Sequence, residues 1–438
     1  MLELVLAYSA LAVQAAGCYL SGRRSGEASK SQSNSSIVRL AFSFFSVGMG
    51  GWILSVPAEI GASFGWFGAF GYAIVCTSPL WILMTIGYRL KVDESCLMTW
   101  IQARYGGVAR GVVTICSLFY MSIFLASEFT IVGSLFEPFT HRLYGIAPVA
   151  VFALGHTAFR SSSNLHSHGL QGFLCLALVL AIVPAILAMI DVDDSKLPAA
   201  SQLTFSGFFS VGILCIACST SELLNFAEWQ RVWSCENETV LTKALLLAAS
   251  LIFVTLAGLG SVGVLASVAS KELDDPKNAF SFGLEFSGRS IRLLVMLMGL
   301  VLATSTSDAL AFGISELVRN SHSSVRESKV FLLLVVGLCV VVPCVLVAIK
   351  NISILSLFMI ANLMTSIIAP PVFCGAVLEV NKVGLGLGLS TAVSVVTAFF
   401  LAVPELKDDL YTKMGLFLYA STVFSGGAVA VLASKICK

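Results

Sequence analysis

Long apolar stretches alternate with short polar linkers along almost the whole chain. An apolar helix of about 20 residues spans the hydrocarbon core of a bilayer. Segments of that kind fall at roughly 2–20, 39–62, 64–89, 107–136, 145–160, 168–190, 204–228, 240–268, 291–318, 329–349, 352–380, 383–403 and 411–436. The pattern predicts an all-α, polytopic membrane protein of about 13 transmembrane helices, with residues 1–438 forming a single transmembrane domain. Nothing basic precedes the apolar run at 2–20, so it reads as a retained helix rather than a signal peptide.

Two of the segments are poor continuous helices. In 39–62 the glycines Gly48, Gly50 and Gly51 cluster near the middle, and Pro57 follows within two turns. In 204–228 the polar run Cys218-Ser219-Thr220-Ser221-Glu222 falls at mid-helix. Broken helices survive at membrane depth only where they are buried in protein or line a cavity. Breaks in the second and seventh segments, five helices apart, predict an inverted-repeat transporter. The repeats would be 39–190 and 204–380, with 1–20 and 383–438 as peripheral helices.

Composition narrows the class. With 57% hydrophobic and 12% charged residues and a mean hydropathy of +0.91, the chain is neither a soluble globule nor a nucleic-acid binder. Its partners are the lipid bilayer, a small-molecule substrate and an ion. If the N-terminus lies outside, 17 of the 26 Lys and Arg fall on the inner side. The outer loops then carry acid: Asp191, Asp193 and Asp194, then Glu272, Asp274 and Asp275, then Glu405, Asp408 and Asp409. The positive-inside rule thus favours N-out and C-in, and the plasma membrane is the expected site. The twelve cysteines are scattered; Cys215-Ile-Ala-Cys218 has redox spacing but reads as small apolar packing within a helix. Asn34, Asn237 and Asn351 open glycosylation sequons, none of them in a well-placed outer loop. His166 and His168 have no partner acids or cysteines nearby. No phosphate-binding loop, dinucleotide fingerprint or nucleophile–base set occurs, so the chain is not read as an enzyme or an ATP-driven pump.

The segment 291–318 poses its own question, because Thr304-Ser305-Thr306-Ser307-Asp308 interrupts an otherwise apolar helix. A Ser or Thr on a helix can turn back toward the carbonyl one turn earlier, which places the hydroxyls of Ser305 and Thr306 near the carbonyl of Leu302. The unwound stretch at 46–49 can present the carbonyls of Ser46 and Met49 to the same point. Five neutral oxygens suit a dehydrated monovalent cation such as Na⁺, whereas a divalent ion normally requires carboxylates. The other reading is that these hydroxyls merely satisfy themselves on the backbone or pair between helices.

These stretches resemble the sodium:solute symporter family, whose members carry proline, sugars, urea and vitamins. ATSTSDAL at 303–310 is similar to the family's ninth-helix segment, and GMGGWILSVPAEIG at 48–61 to its broken second helix, including Trp52 and Pro57. MTWIQARYGG at 98–107, Gly169-Leu-Gln171 and NFAEWQRVW at 225–233 follow in the family's order. The resemblance runs from about residue 20 to 320 and implies a five-plus-five inverted-repeat core of the leucine-transporter type. It also implies a Na⁺ site formed by the carbonyls of Ser46, Met49 and Leu302 and the hydroxyls of Ser305 and Thr306. There are departures. Gly48 stands where some members carry an Asp, and Ser221 and Glu222 stand where sugar carriers have an aromatic gate. Ser161-Ser162 and Ser167-His168 replace a common motif before the sixth helix. A sugar substrate is therefore disfavoured.

Ionisable residues at membrane depth are functional candidates. Glu128 and Glu222 fall on helices that line the family's substrate pocket and can bind an amine or guanidinium, or carry a proton; Ser221 and Trp52 lie beside the two breaks. Asp308 is placed to support the ion site or to pair with a base at the inner mouth, and Glu59 near an outer helix end can simply reach headgroups. The expected function is Na⁺-coupled symport of a small polar solute (an amino acid such as proline, urea or an amine) by alternating access. Two alternatives stand beside it: H⁺ coupling through Glu222 or Glu128, and a transporter-like sensor that does not turn over.

Overall fold

The computed structural model describes residues 8–9, 12–13, 37–93, 96–137, 141–159, 165–321, 329–349, 354–407 and 410–437. The expected helix at 2–20 lies essentially outside the described residues, as do Asn34, Asn351, Asp408, Asp409 and Ser161-Ser162. The rest is helical, and nine of the described helices are long and apolar enough to cross a membrane.

The first break lies where the glycines predict it. Helix α1 (Ile37–Gly48) ends at the glycine cluster, a short 3-10 turn occupies Gly51–Leu54, and α2 (Val56–Val75) restarts with Pro57 in its first turn. Proline suits that position because the first turn has no intrahelical partner for its missing N–H. Gly65 adopts φ 64 and ψ −156, which divides α2 at a sharp kink close to the expected boundary between the second and third helices. Only glycine tolerates that backbone readily. The chain continues through α3 (Ser78–Asp93), the short α4 (Leu97–Tyr105), α5 (Gly107–Phe136), α6 (Leu143–Phe159) and α7 (Leu165–Leu187).

The second break is similar in kind. Helix α8 (Phe205–Ser221) gives way to a 3-10 turn over Glu222–Leu224, and α9 (Phe226–Ser234) follows after Asn225. Asn225 caps α9 by accepting the Ala227 N–H at 3.2 Å, so the chain can restart in a new direction without an orphaned donor. Then come α10 (Glu238–Ser267), α11 (Arg289–Ser321), α12 (Lys329–Ile349), α13 (Ile354–Phe373), α14 (Lys382–Ala402) and α15 (Lys413–Ile436). Asn237, which opens one of the sequons, accepts the Val240 N–H at 2.9 Å and caps α10.

Packing sorts these helices into centre and rim. Helices α2 and α10 pair most extensively; Gly61 faces the Gly260 carbonyl and Gly263 faces the Ala58 carbonyl, and a Cβ at either glycine would overlap that backbone. Close approach of small residues replaces the hydrophobic drive that lipid cannot supply. Helix α11 is enclosed all round over its central stretch, with every residue from Met298 to Ser315 buried. Its polar run therefore never meets acyl chains. By contrast α14 and α15 pair at the rim, where Leu387, Val393, Leu401, Phe417 and Phe424 are exposed.

Candidate functional site

Ser46, Ser305 and Thr306, three of the five residues expected at an ion cluster, meet in the structure. Ser46 lies on α1 just before the first break and Ser305 on enclosed α11, and their hydroxyls stand 2.8 Å apart. The Thr306 hydroxyl lies 3.5 Å from the Ser46 carbonyl, which accepts its proton. Ser46, Met49, Leu302, Ser305 and Thr306 are all 2% exposed or less. The back-bonding expected of 305 and 306 is instead made by Thr304, whose hydroxyl donates to the Leu300 carbonyl. Ser305 and Thr306 are left to reach across to neighbouring helices. Ser305 donates to Gln171 Oε1 on α7 at 2.9 Å. A hydroxyl has one proton, so Ser46 must be the donor in the Ser46–Ser305 pair. Gln171 thus joins the cluster from a third helix, and the sequence had marked it only as a helix opening.

On the other side of the break lies a cavity of about 750 Å³ of atom-free space, including what is open to solvent. Aromatic rings form one wall. Trp52 meets Tyr72 at 6.5 Å and Phe358 at 5.7 Å between ring centroids. Phe358 meets Phe124 at 5.3 Å, and Phe124 meets Tyr120 at 6.1 Å. The second break contributes acid: Ser221, Glu222 and Glu228 all line the cavity. Glu222 accepts the Tyr120 hydroxyl at 3.1 Å and the Asn225 amide at 2.7 Å. Asn225 therefore both caps α9 and fixes the carboxylate at the turn before it. A carboxylate beside several ring faces suits an organic cation, since the acid supplies charge and the rings a cation–π surface.

Of the residues expected at a substrate pocket, Trp52, Ser221 and Glu222 line this cavity. Glu128 does not line the cavity. It sits behind the first break at 0% exposure, and its Oε2 accepts the Gly51 N–H at 2.6 Å. A Cβ at Gly50 would land on this carboxylate, so the glycine pair admits Glu128 as well as breaking the helix. Asp308 lies within electrostatic reach of Arg231 on α9. The Arg231 Nε donates to the Ser43 carbonyl and hydroxyl at 3.0 and 2.9 Å, which ties α9 to α1. Cys218 lines the cavity beside Cys76, whereas Cys215 is exposed on the outside of α8. Sequence reasoning missed Gln171, Glu228, Tyr72, Phe124 and Phe358. For the rings no sequence signal separates cavity wall from packing; for Glu228 the signal was an acid three residues before Arg231.

No family model matches the chain. It is similar to the spermidine transporter DUR31 of Candida albicans (strain SC5314 / ATCC MYA-2876), at 25% identity over 353 residues, 77% of this chain and 67% of that protein. Among solved structures it superposes on a Na⁺-coupled sialic acid symporter in a substrate-bound outward-open state. That likeness has a TM-score of 0.75 at 13% identity, over 100% of this chain and 98% of that one. Mhp1, a nucleobase-cation-symport-1 family transporter, gives 0.62 at 13% identity over 91% and 92%. A manganese transporter of Eremococcus coleocola gives 0.58 at 11% identity over 91% and 94%. The chain has the leucine-transporter fold. Its long apolar helices make it an integral, multi-pass membrane protein of that fold.

Proposed function

We propose that the chain is a Na⁺-coupled symporter of an organic amine, a divergent relative of the sodium:solute symporters. One observation carries the substrate class: Glu222 and Glu228 line a cavity that has aromatic rings along one wall, at the turn of a broken helix. Buried carboxylates are costly without cationic partners. Arg231 lies within electrostatic reach of Glu228, yet Glu228 Oε2 has no hydrogen-bond partner among the described residues, so an ammonium ligand would complete it. The likeness to a spermidine transporter supports an aliphatic polyamine in particular. The convergence of Ser46, Ser305 and Thr306 supports Na⁺ bound between α1 and α11, with the carbonyls of Met49 and Leu302 as the further ligands of the proposal. Sodium joining these helices favours one arrangement of the repeats 39–190 and 204–380, and their rocking carries both solutes across. The N-terminus is taken as outside and the plasma membrane as the site.

The driving forces set the test. One Na⁺ crossing about 100 mV contributes about 2.3 kcal/mol. A tenfold Na⁺ gradient adds about 1.4 kcal/mol, and together these support roughly 500-fold accumulation of a neutral solute. A cationic amine also responds to the potential through its own charge, so the voltage must be clamped. In clamped proteoliposomes, radiolabelled spermidine uptake rises when an inward Na⁺ gradient replaces K⁺. Uptake indifferent to Na⁺ contradicts the coupling, and uptake of amino acids or urea in preference to amines contradicts the substrate class.

A second reading couples the same fold to H⁺. It is favoured by Glu128, which is fully buried against the break with Oε1 unpartnered among the described residues. Uptake driven by a pH gradient, insensitive to Na⁺ and lost in Glu128→Gln, selects it.

A further inference from the structure

Glu228 lies on α9 at 2% exposure, lines the cavity, and has no hydrogen-bond partner for Oε2 among the described residues. A buried carboxylate oxygen without a donor is costly unless a ligand completes it. Arg231 lies one turn further along the same helix face and is the electrostatic partner of Glu228. Its hydrogen bonds nonetheless go elsewhere: Nε to Ser43 at 3.0 and 2.9 Å, and Nη1 to the Ala227 carbonyl at 2.5 Å. Asp308 shares the same guanidinium charge. Glu222, also within electrostatic reach of Glu228, has both oxygens held by Tyr120 and Asn225. Of the two cavity-lining acids, Glu222 is held through both oxygens, and Glu228 alone keeps an oxygen open among the described residues.

We propose that Glu228 reads a second positive charge on the substrate. One ammonium sits among the rings at Glu222, the next is bound by Glu228 Oε2, and the cavity selects amines with two or more cationic nitrogens on an aliphatic spacer. This rests on the amine reading above. An ammonium at Glu228 also repels the Arg231 guanidinium, which moves its interaction toward Asp308. Asp308 lies on α11, two residues beyond Thr306, and Ser43 lies three residues before Ser46. Arg231 therefore connects occupancy of the second-charge position to both walls of the ion cluster, with Arg231 a positioning residue rather than a ligand.

The test uses the full chain in voltage-clamped proteoliposomes. Uptake of radiolabelled spermidine is inhibited by butylamine, 1,4-diaminobutane or 1,6-diaminohexane. In the native protein 1,4-diaminobutane inhibits at least about tenfold more strongly than butylamine, as expected where a built polar site rejects an analogue that lacks its partner group. Glu228→Gln brings that ratio close to one, a loss of about tenfold or more, as expected for one hydrogen bond to a charged group. Glu228→Asp keeps the charge but withdraws it by one methylene, so preference moves toward 1,6-diaminohexane. An unchanged ratio in Glu228→Gln, or an unchanged spacer preference in Glu228→Asp, overturns the assignment of Glu228 alone. Native protein that neither takes up nor binds any of these amines overturns it together with the amine reading. Where a variant inserts poorly, the same ratios are read from ligand-induced shifts in melting temperature of the purified protein.

Discussion

Ser305 carries more of the proposed ion chemistry than its neighbours, because its hydroxyl links α1 through Ser46 and α7 through Gln171. Ser315 is an internal control. It lies on the same helix, is 1% exposed, and donates only to its own helix at the Phe312 carbonyl. Ser305→Ala raises the Na⁺ concentration for half-maximal uptake by about tenfold or more, while Ser315→Ala changes it by less than about threefold. Equal responses of the two variants would mean that the 305 hydroxyl is ordinary packing. Arg231 offers a second residue-level test, of stability. Its removal leaves the buried Glu228 without the guanidinium beside it, so Arg231→Met destabilises the fold by about 3–5 kcal/mol, read as a lowered melting temperature.

The first broken helix works as a unit because glycine and glutamate fit each other. Gly50 and Gly51 bring backbone against Glu128, which then accepts the Gly51 N–H and fills the gap that the unwound turn leaves. Gly50→Ala places a methyl group on that carboxylate. Transport by the inserted, folded variant falls by about tenfold or more, since such overpacking typically costs about 1–3 kcal/mol. Adding Glu128→Ala makes room for the methyl group and restores part of the rate. Equal losses in single and double variants would show that the clash is not what matters. The second broken helix relies on a side-chain cap instead, through Asn225, and its carboxylate points into the cavity rather than behind it.

Over the whole molecule, acidic loops distant in sequence are brought to one place. The Asp193 N–H donates to the Val268 carbonyl at 2.9 Å and the Ser270 N–H to the Asp191 carbonyl at 2.9 Å, joining 191–194 to the segment that leads into Glu272, Asp274 and Asp275. In the orientation proposed above, both segments face outward. A negative surface there raises the local concentration of a polycation. Asp194→Asn with Asp274→Asn, both exposed in the native protein, raises the KM for spermidine at low ionic strength. Screening removes the difference at about 1 M salt, where the Debye length is about 3 Å. A KM that shifts equally at both salt concentrations rules out steering by these charges.

Much of this was legible in the residues because membrane insertion imposes a strong, local code. Lipid penalises unpaired backbone and charge so heavily that apolar length fixes the helices, glycine and proline mark the first break, and the polar run 218–222 ends at the second, over Glu222–Asn225. The same penalty made the hydroxyls of Ser305 and Thr306 conspicuous, and enclosure of α11 explains how a lipid-length helix tolerates them. Tertiary structure alone decided which groups share a space. Only the packing of α7 against α1 and α11 brings Gln171 to Ser305, and only the turn at Asn225 puts Glu228 in the cavity. It also turned Glu128 toward the back of the break, and made Tyr72, Phe124 and Phe358 one wall. A lone aromatic or acid in an apolar helix carries no local sign of which neighbour it faces, because that depends on how separate helices cross.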